Sequence, residues 1–292
     1  MSENADKIRR EWAANDKKRD SGLKTPEDIC RYDDIVYGSS KTEQVLDVYR
    51  PKTAEGKNLP VIVSVHGGAW VYGDKELYQF YCMSLAQRGF AVVNFTYRLA
   101  PENIFPAQLE DVSLVFEWLR NNCGKYGFDI KNIFAVGDSA GAHLLALYSC
   151  CTTNPSYAER FSFLKVDAIK PKAIALNCGV YHLRPKNADS YKDLLGKEDL
   201  SEEDLEAVTV LLHITKDFPP VFVMTSFGDF LKDQALELAS KLMERKVPFT
   251  LKVYGSSQNP LYHVFHVNMK QEEAAVCNDD ECNFFKSFCR EH

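Results

Sequence analysis

The sequence has no apolar run that approaches the length of a membrane span, and residues Met1 to Asp20 are polar and charged, without the apolar centre of a secretory signal. A protein that neither crosses a membrane nor is secreted is expected, with a cytoplasmic location. Basic residues are not in excess: 35 Lys and Arg against 41 Asp and Glu leave a formal net charge of -6. That balance argues against a nucleic-acid partner and suits a small-molecule substrate. Internal repeats and low-complexity linkers are also missing. Cys277, Cys282, Cys289 and His292 fit no zinc-ligand spacing, and Cys282, Phe285 and Cys289 fall on one helical face, so core packing is expected and no metal. The nine cysteines are odd in number, and Cys82, Cys150, Cys151 and Cys178 sit within apolar patterns, as reduced thiols packed in a cytoplasmic protein would.

What is present is ordinary globular composition, 45% hydrophobic and 26% charged over 292 residues, enough for a large core. Residues 6–20 read as a helix with Ile8, Trp12 and Ala13 on one side. Residues 21–31 read as a loop, leading to short strands at 34–37 and 44–49 around the turn Gly38-Ser39-Ser40, an antiparallel lead-in to a sheet. From Pro60 apolar runs alternate with helical patterns, the rhythm of βαβ units. Strands are expected at 61–65, 91–96, 132–136, 172–177, 220–226 and 249–254, and helices at 74–88, 106–123, 139–151, 231–246 and 268–290. Right-handed crossovers then put helices on both faces of a mostly parallel, eight-stranded sheet. The stretch 179–219 is too long for an ordinary connection, and its Leu194, Leu195, Leu205, Val208 and Leu212 suggest short helices. The expectation is one domain over 1–292 with a small helical cap built from about 1–30 and 179–219.

The stretch around which these elements are arranged is Gly137-Asp138-Ser139-Ala140-Gly141, set between the strand pattern ending at Val136 and a helix pattern starting at Ala142. A serine on such a strand-to-helix turn is a nucleophile elbow: the strained turn exposes its hydroxyl, and the flanking glycines let neighbouring backbone pass close by. Serine is a weak nucleophile near neutral pH, so it needs a base and a third group to orient that base. Asp229 follows the strand 220–226 directly and is the natural acid; Asp233 lies a turn further on, where it suits the first turn of a helix. His263 and His266 both follow the strand 249–254, and either could reach the serine. His143 lies one helical turn past Ser139 and is expected to pack, while His182 and His213 fall in the cap region. An oxyanion needs fixed N–H donors, for which Ala140, after the nucleophile, and Gly67 and Gly68 of the loop His66-Gly67-Gly68-Ala69-Trp70 are the candidates.

Together with Tyr97-Arg98-Leu99-Ala100-Pro101-Glu102, Phe105-Pro106-Ala107, Asp229-Phe230-Leu231-Lys232-Asp233-Gln234 and His263-Val264-Phe265, these motifs resemble the α/β-hydrolase superfamily. Within it they are similar to small esterases of the hormone-sensitive lipase kind, over about residues 60–290. The resemblance implies an α/β-hydrolase fold, carries the base onto His263 rather than His266, and implies a serine carboxylesterase of short-chain, acetyl-like esters working through an acyl-enzyme without a cofactor. The Tyr97 to Ala107 segment would tie the sheet to the next helix. Two positions depart from the family pattern: Ala69 stands for a third oxyanion glycine, and Ala142 for the usual glycine after Gly141. Trp70 offers a flat wall beside the oxyanion loop, and Trp70 and Asp138 are assigned to substrate binding. The same loop is also similar to that of kynurenine formamidase and feruloyl esterase relatives, so arylformamidase and feruloyl esterase activity stand as alternatives. A non-catalytic small-molecule receptor is disfavoured by the complete Ser139, Asp229 and His263 set. The partner expected is a small ester, with no nucleic acid and no membrane, and a homodimer is the assembly left open.

Overall fold

A computed structural model describes residues 2–165, 167–184 and 188–289. Eight strands form one sheet: β1 (Ile29–Val36), β2 (Val45–Pro51), β3 (Leu59–Val65), β4 (Ala91–Phe95), β5 (Phe128–Asp138), β6 (Ala173–Asn177), β7 (Val221–Ser226) and β8 (Phe249–Tyr254). Their order is β1-β2-β4-β3-β5-β6-β7-β8. The β1–β2 and β2–β4 pairs are antiparallel, and every pair from β4 to β8 is parallel.

Ten helices accompany the sheet among the described residues: α1 (Glu3–Asp20), α2 (Lys75–Gln87), α3 (Ala107–Tyr126), α4 (Ala140–Cys151), α5 (Pro155–Ala158), α6 (Ala188–Leu195), α7 (Glu202–Val208), α8 (Val210–His213), α9 (Lys232–Glu244) and α10 (Glu272–Lys286). The inner strands are mostly apolar because both of their faces are covered. Val61, Val63 and Val65 of β3 pack with the apolar stripes of α3, α4 and α9, whereas Ile62 packs with those of α2 and α10. This is the period-two alternation of a strand read in two directions at once. None of the described helices is long and apolar enough to cross a membrane.

The strand and helix positions follow the sequence reading closely, with three informative differences. β1 begins at Ile29, inside the expected loop, and its register breaks between Tyr32 and Ile35, where Asp34 takes φ 56° and gives its N–H to the Asp47 carboxylate. β5 begins at Phe128 rather than Asn132. A register shift pairs Pro60 with Asp129 and then Val61 with Ile133, and the Asp129 carboxylate caps Lys131 N–H and the Asn132 amide within that bulge. The polar residues of the bulge hide the strand's first half from a periodicity reading. The last helix starts at Glu272, because a short 3-10 turn at Phe265–Val267 precedes it, and residues 290–292 lie outside those described, His292 among them.

The stretch 179–219 holds α6, α7 and α8, with 185–187 outside the described residues. Of the N-terminal helix α1 only Ala5 is buried. Polar ties hold α1 instead: Arg9 to the Val71 and Ala100 carbonyls and to Glu102, Asn4 to Asp193 of α6, and Tyr72 to Asp16.

α4 passes close over the end of β3. A Cβ on Gly141 would run into the carbonyl oxygens of Val65 and His66. Inside a helix alanine is favoured over glycine by about 1 kcal/mol, yet Gly141→Ala is expected to destabilise the protein by about 3 kcal/mol. Urea denaturation checks the sign: an unchanged or raised midpoint would contradict this packing.

Candidate active site

The elbow forms where β5 ends at Asp138 and α4 starts at Ala140. Ser139 between them has φ 51° and ψ -118°, a strained conformation for a residue with a Cβ. Its N–H bonds to the Asn177 carbonyl at the end of β6 (2.9 Å), which fixes the turn against the neighbouring strand. As the first residue of α4, Ala140 has no acceptor for its N–H within the helix.

Asp229 and His263 sit on the loops that follow β7 and β8. These loops are stitched together by Gly228 N–H to the Leu261 carbonyl and by the Ser226 hydroxyl to the same oxygen, each at 2.8 Å. The His263 Nδ1 is 2.7 Å from Asp229 Oδ1, and its Nε2 is 3.0 Å from Ser139 Oγ. Asp229 is buried and also accepts from Leu231 N–H and the Thr225 hydroxyl. Burial pushes its carboxyl up, but the hydrogen bond and charge of His263, with these two donors, outweigh it and leave the group below its ordinary value. A carboxylate that stays ionised favours the tautomer with the proton on Nδ1, which leaves Nε2 to accept from serine. The Phe230 ring lies 4.4 Å from the imidazole.

The other described histidines lie off this path. His266 is fully buried, edge-on to Tyr81, and burial followed by the charge of His263 pushes it down to about 3. His143 is buried between the Trp70 indole N–H and the Val208 carbonyl, pushed down to about 4 by burial. His182 meets Glu237 at the surface, and His213 stacks on Tyr157. Asp233 lies in the first turn of α9, and Tyr97 donates to the His66 carbonyl and stacks on its ring.

One oxyanion candidate needs correction. The Gly67 N–H donates to the Tyr78 hydroxyl at 3.0 Å, and that hydroxyl in turn donates to Asp138 at 2.7 Å. Gly67 lines the hollow beside His263, but its N–H already has an acceptor. Gly68, Ala69 and Trp70 are loop residues with no acceptor for their N–H groups among the described residues. Gly68 holds φ 120°, and a Cβ there would strike the Tyr72 carbonyl, so only glycine fits. Asp138 lines the hollow beside His263, but the residue is only 2% exposed and its carboxylate is engaged by Tyr78, which also makes it a brace of the oxyanion loop. Burial pushes it up to about 6, against the Tyr78 hydrogen bond and the charge of His263.

Two hollows meet at Ser139, Trp12 and Phe230. One, of 480 Å³, is walled by Ile8, Trp70, Val180, Tyr191 and Leu231. The other, of 310 Å³, lies on the side of Gly68, Tyr72 and His263. A larger hollow, of 1340 Å³, is a groove between α1 and α6 that does not touch Ser139.

The sequence reading missed a second buried carboxylate behind the elbow. Glu281 of α10 is fully buried and accepts from the Tyr81 hydroxyl (2.9 Å) and the side-chain amide of Asn177 (2.7 Å), the residue whose carbonyl holds Ser139. Nothing in the helical pattern of α10 marks it, since its partners lie 200 and 104 residues away.

Strand order, elbow and the Ser139–His263–Asp229 geometry define an α/β-hydrolase. The chain belongs to the BD-FAE family, whose profile matches residues 46–242. It is 36% identical over 139 residues to Esterase LipC of Mycobacterium tuberculosis, covering 46% of this chain and 34% of LipC. With Esterase LipQ of the same organism it shares 34% over 164 residues, covering 56% of this chain and 38% of LipQ. The chain thus spans little more than a third of the length of these curated relatives. Among solved structures, esterase B of Lactobacillus rhamnosis superimposes with a TM-score of 0.87 at 28% identity, over 97% of this chain and 95% of that one. Its form with a tributyrin phosphonate inhibitor gives 0.88 at 27%, over 99% and 96%.

Burial pushes Glu281 up to about 7 from the ordinary 4.5, against its two hydrogen bonds. Because the folded value is the higher one, the fold favours the protonated carboxyl, and its contribution is full below about pH 4.5 and lost as pH rises through about 7. Asp138 acts in the same sense over a lower window. Urea unfolding at about pH 6 and pH 8 should show the wild type losing on the order of 1–3 kcal/mol over that interval. Glu281→Gln should have a nearly flat profile there; a variant as steep as the wild type would contradict the assignment.

Proposed function

We propose that this chain is a serine carboxylesterase acting on esters with short acyl chains. The observation that carries the proposal is the unbroken path from Ser139 Oγ through the His263 imidazole to the Asp229 carboxylate, at 3.0 and 2.7 Å. Ser139 attacks the ester carbonyl while His263 Nε2 takes its proton, and Asp229 steadies the imidazolium that forms. The charge that develops on the carbonyl oxygen is met by the Ala140 N–H at the start of α4 and by Gly68, with Ala69 as a third donor. His263 then returns the proton to the leaving alcohol, and water repeats the cycle on the acyl-enzyme.

Because His263 protonates the leaving group, the alcohol lies in the 310 Å³ hollow beside it. The acyl group then takes the 480 Å³ hollow, whose wall is the Trp70 indole with Tyr191 at 5.9 Å between ring centroids. Trp70 is held in place by its bond to His143. α1 and α6, which supply Ile8, Trp12 and Tyr191 to these hollows, act as the cap within a single hydrolase domain. The nine cysteines, all without disulfides, support action in a reducing compartment such as the cytoplasm.

With p-nitrophenyl esters, kcat/KM should be greatest at acetyl to butyryl and fall for long chains. Ser139→Ala should lower it by about 10⁴-fold or more and abolish labelling by a fluorophosphonate. A profile that peaks at long chains refutes the short-acyl assignment. Faster turnover of methyl ferulate or N-formylkynurenine than of p-nitrophenyl acetate would instead favour an aryl ester or formamide substrate against the walls of Trp12 and Phe230.

A further inference from the structure

Beside the acid and base lies a thiol that ester hydrolysis does not use. Cys178 directly follows β6, is fully buried, and is held at φ 48° by its N–H bond to the Met224 carbonyl (2.7 Å). Its Sγ, a carboxylate oxygen of Asp229 and a ring nitrogen of His263 all lie within 4.8 Å of one another. The three residues come from the carboxyl ends of the adjacent strands β6, β7 and β8, so the sheet itself sets their spacing. Among the described residues no other His, Cys, Asp and Glu group is drawn together in this way. A second sulfur, Met224 Sδ, is 3.9 Å from the thiol.

A thiol, an imidazole and a carboxylate together are a donor set that Zn²⁺ and the softer Cd²⁺ take, whereas Mg²⁺ and Ca²⁺ would favour the carboxylate alone. Metal–donor distances of about 2.0–2.3 Å put the donors of a tetrahedral site roughly 3–4 Å apart. The 2.7 Å His263–Asp229 contact would open slightly and the thiol would close in. His263, with 20% of its side chain exposed on the cavity wall, is the way in for the ion. Burial, then the Asp229 charge, pushes the thiol well above its ordinary range, so without a metal it is protonated and inert.

We infer that Cys178, Asp229 and His263 form an inhibitory site for a thiophilic divalent cation, Zn²⁺ or Cd²⁺, that switches the hydrolase off. The inference rests on His263 being the base of the proposed reaction. On binding, the Cys178 S–H proton passes to solvent as the Sγ–metal bond forms. The metal takes the Nδ1 lone pair, and the proton formerly on Nδ1 is carried by Nε2. Nε2 then donates instead of accepting, and nothing removes the proton from Ser139 Oγ. One proton is released for each metal bound, and no electron is transferred.

The test uses the full chain, its Cys178→Ala variant and, as a conservative second variant, Cys178→Ser. CdCl₂ is titrated while the ultraviolet thiolate–cadmium band and proton release are followed. In parallel, the rate of fluorophosphonate labelling of Ser139 is measured with and without ZnCl₂. The wild type should bind one equivalent of Cd²⁺ with the thiolate band and one proton released, and Zn²⁺ should slow its labelling at least about tenfold, reversibly with EDTA. Both variants should bind Cd²⁺ at least about tenfold more weakly and label at the same rate with and without Zn²⁺. Zn²⁺ inhibition that persists in the variants overturns the site, as does a wild type with no Cys178-dependent band. A Cys178-dependent band in a protein that never labels supports the metal site and counts against the esterase reading instead.

Discussion

Everything at this site depends on how closely α4 crosses the ends of β3 and β5. A Cβ on Gly137 would sit 2.6 Å from the Gly141 carbonyl, and one on Gly141 would meet the Val65 carbonyl, so glycine at both positions lets helix and sheet touch backbone to backbone. Between them the chain must turn within one residue, and that residue is Ser139 at φ 51°. The strain is held by the Asn177 carbonyl on one side and by the helix that begins immediately on the other. One constraint therefore exposes the hydroxyl, aims it at His263, and leaves the Ala140 N–H beside it with the positive end of a helix behind.

Around that turn the protein has buried two carboxylates, neither with a salt-bridging partner among the described residues. Asp138 receives the Tyr78 hydroxyl, which receives the Gly67 N–H, so oxyanion loop and elbow are joined through α2. Glu281 joins α10, α2 and the end of β6 through Tyr81 and Asn177. Each is costly to ionise in such surroundings, and each would leave donors orphaned if removed. What the arrangement supplies is fixed geometry: three elements distant in sequence, α2, α10 and β6, are held to the two backbone stretches that must not move relative to one another.

How much of this was readable in the sequence follows from the range over which each feature is determined. The elbow, the strands around it and the helices on both faces are encoded locally, by glycines at two fixed positions and by apolar periods of two and 3.6. Asp229 and His263 could be expected near one another because each lies on the loop after a strand, and parallel strands bring those loops to one end of the sheet. The choice of His263 over His266 needed the family pattern, since spacing alone left both within reach. What could not be read depended on a particular side chain arriving from elsewhere. Gly67 looked as free as Gly68 until the Tyr78 hydroxyl was found on its N–H. Glu281 carried no local signal because its partners come from α2 and β6, and Cys178 read as a small core residue, which in its burial it is. The first half of β5 was obscured by its bulge.

The central claim is that Ser139 carries the acyl group between two half-reactions, with His263 serving both. It is tested most directly by quenching the protein in acid within milliseconds of mixing with p-nitrophenyl acetate, then measuring intact mass and mapping the peptides. A population heavier by one acetyl group, with the modification on the peptide containing Ser139 and decaying as hydrolysis proceeds, is the predicted result. Turnover with no acylated species at any time, or acylation confined to another residue, would contradict it.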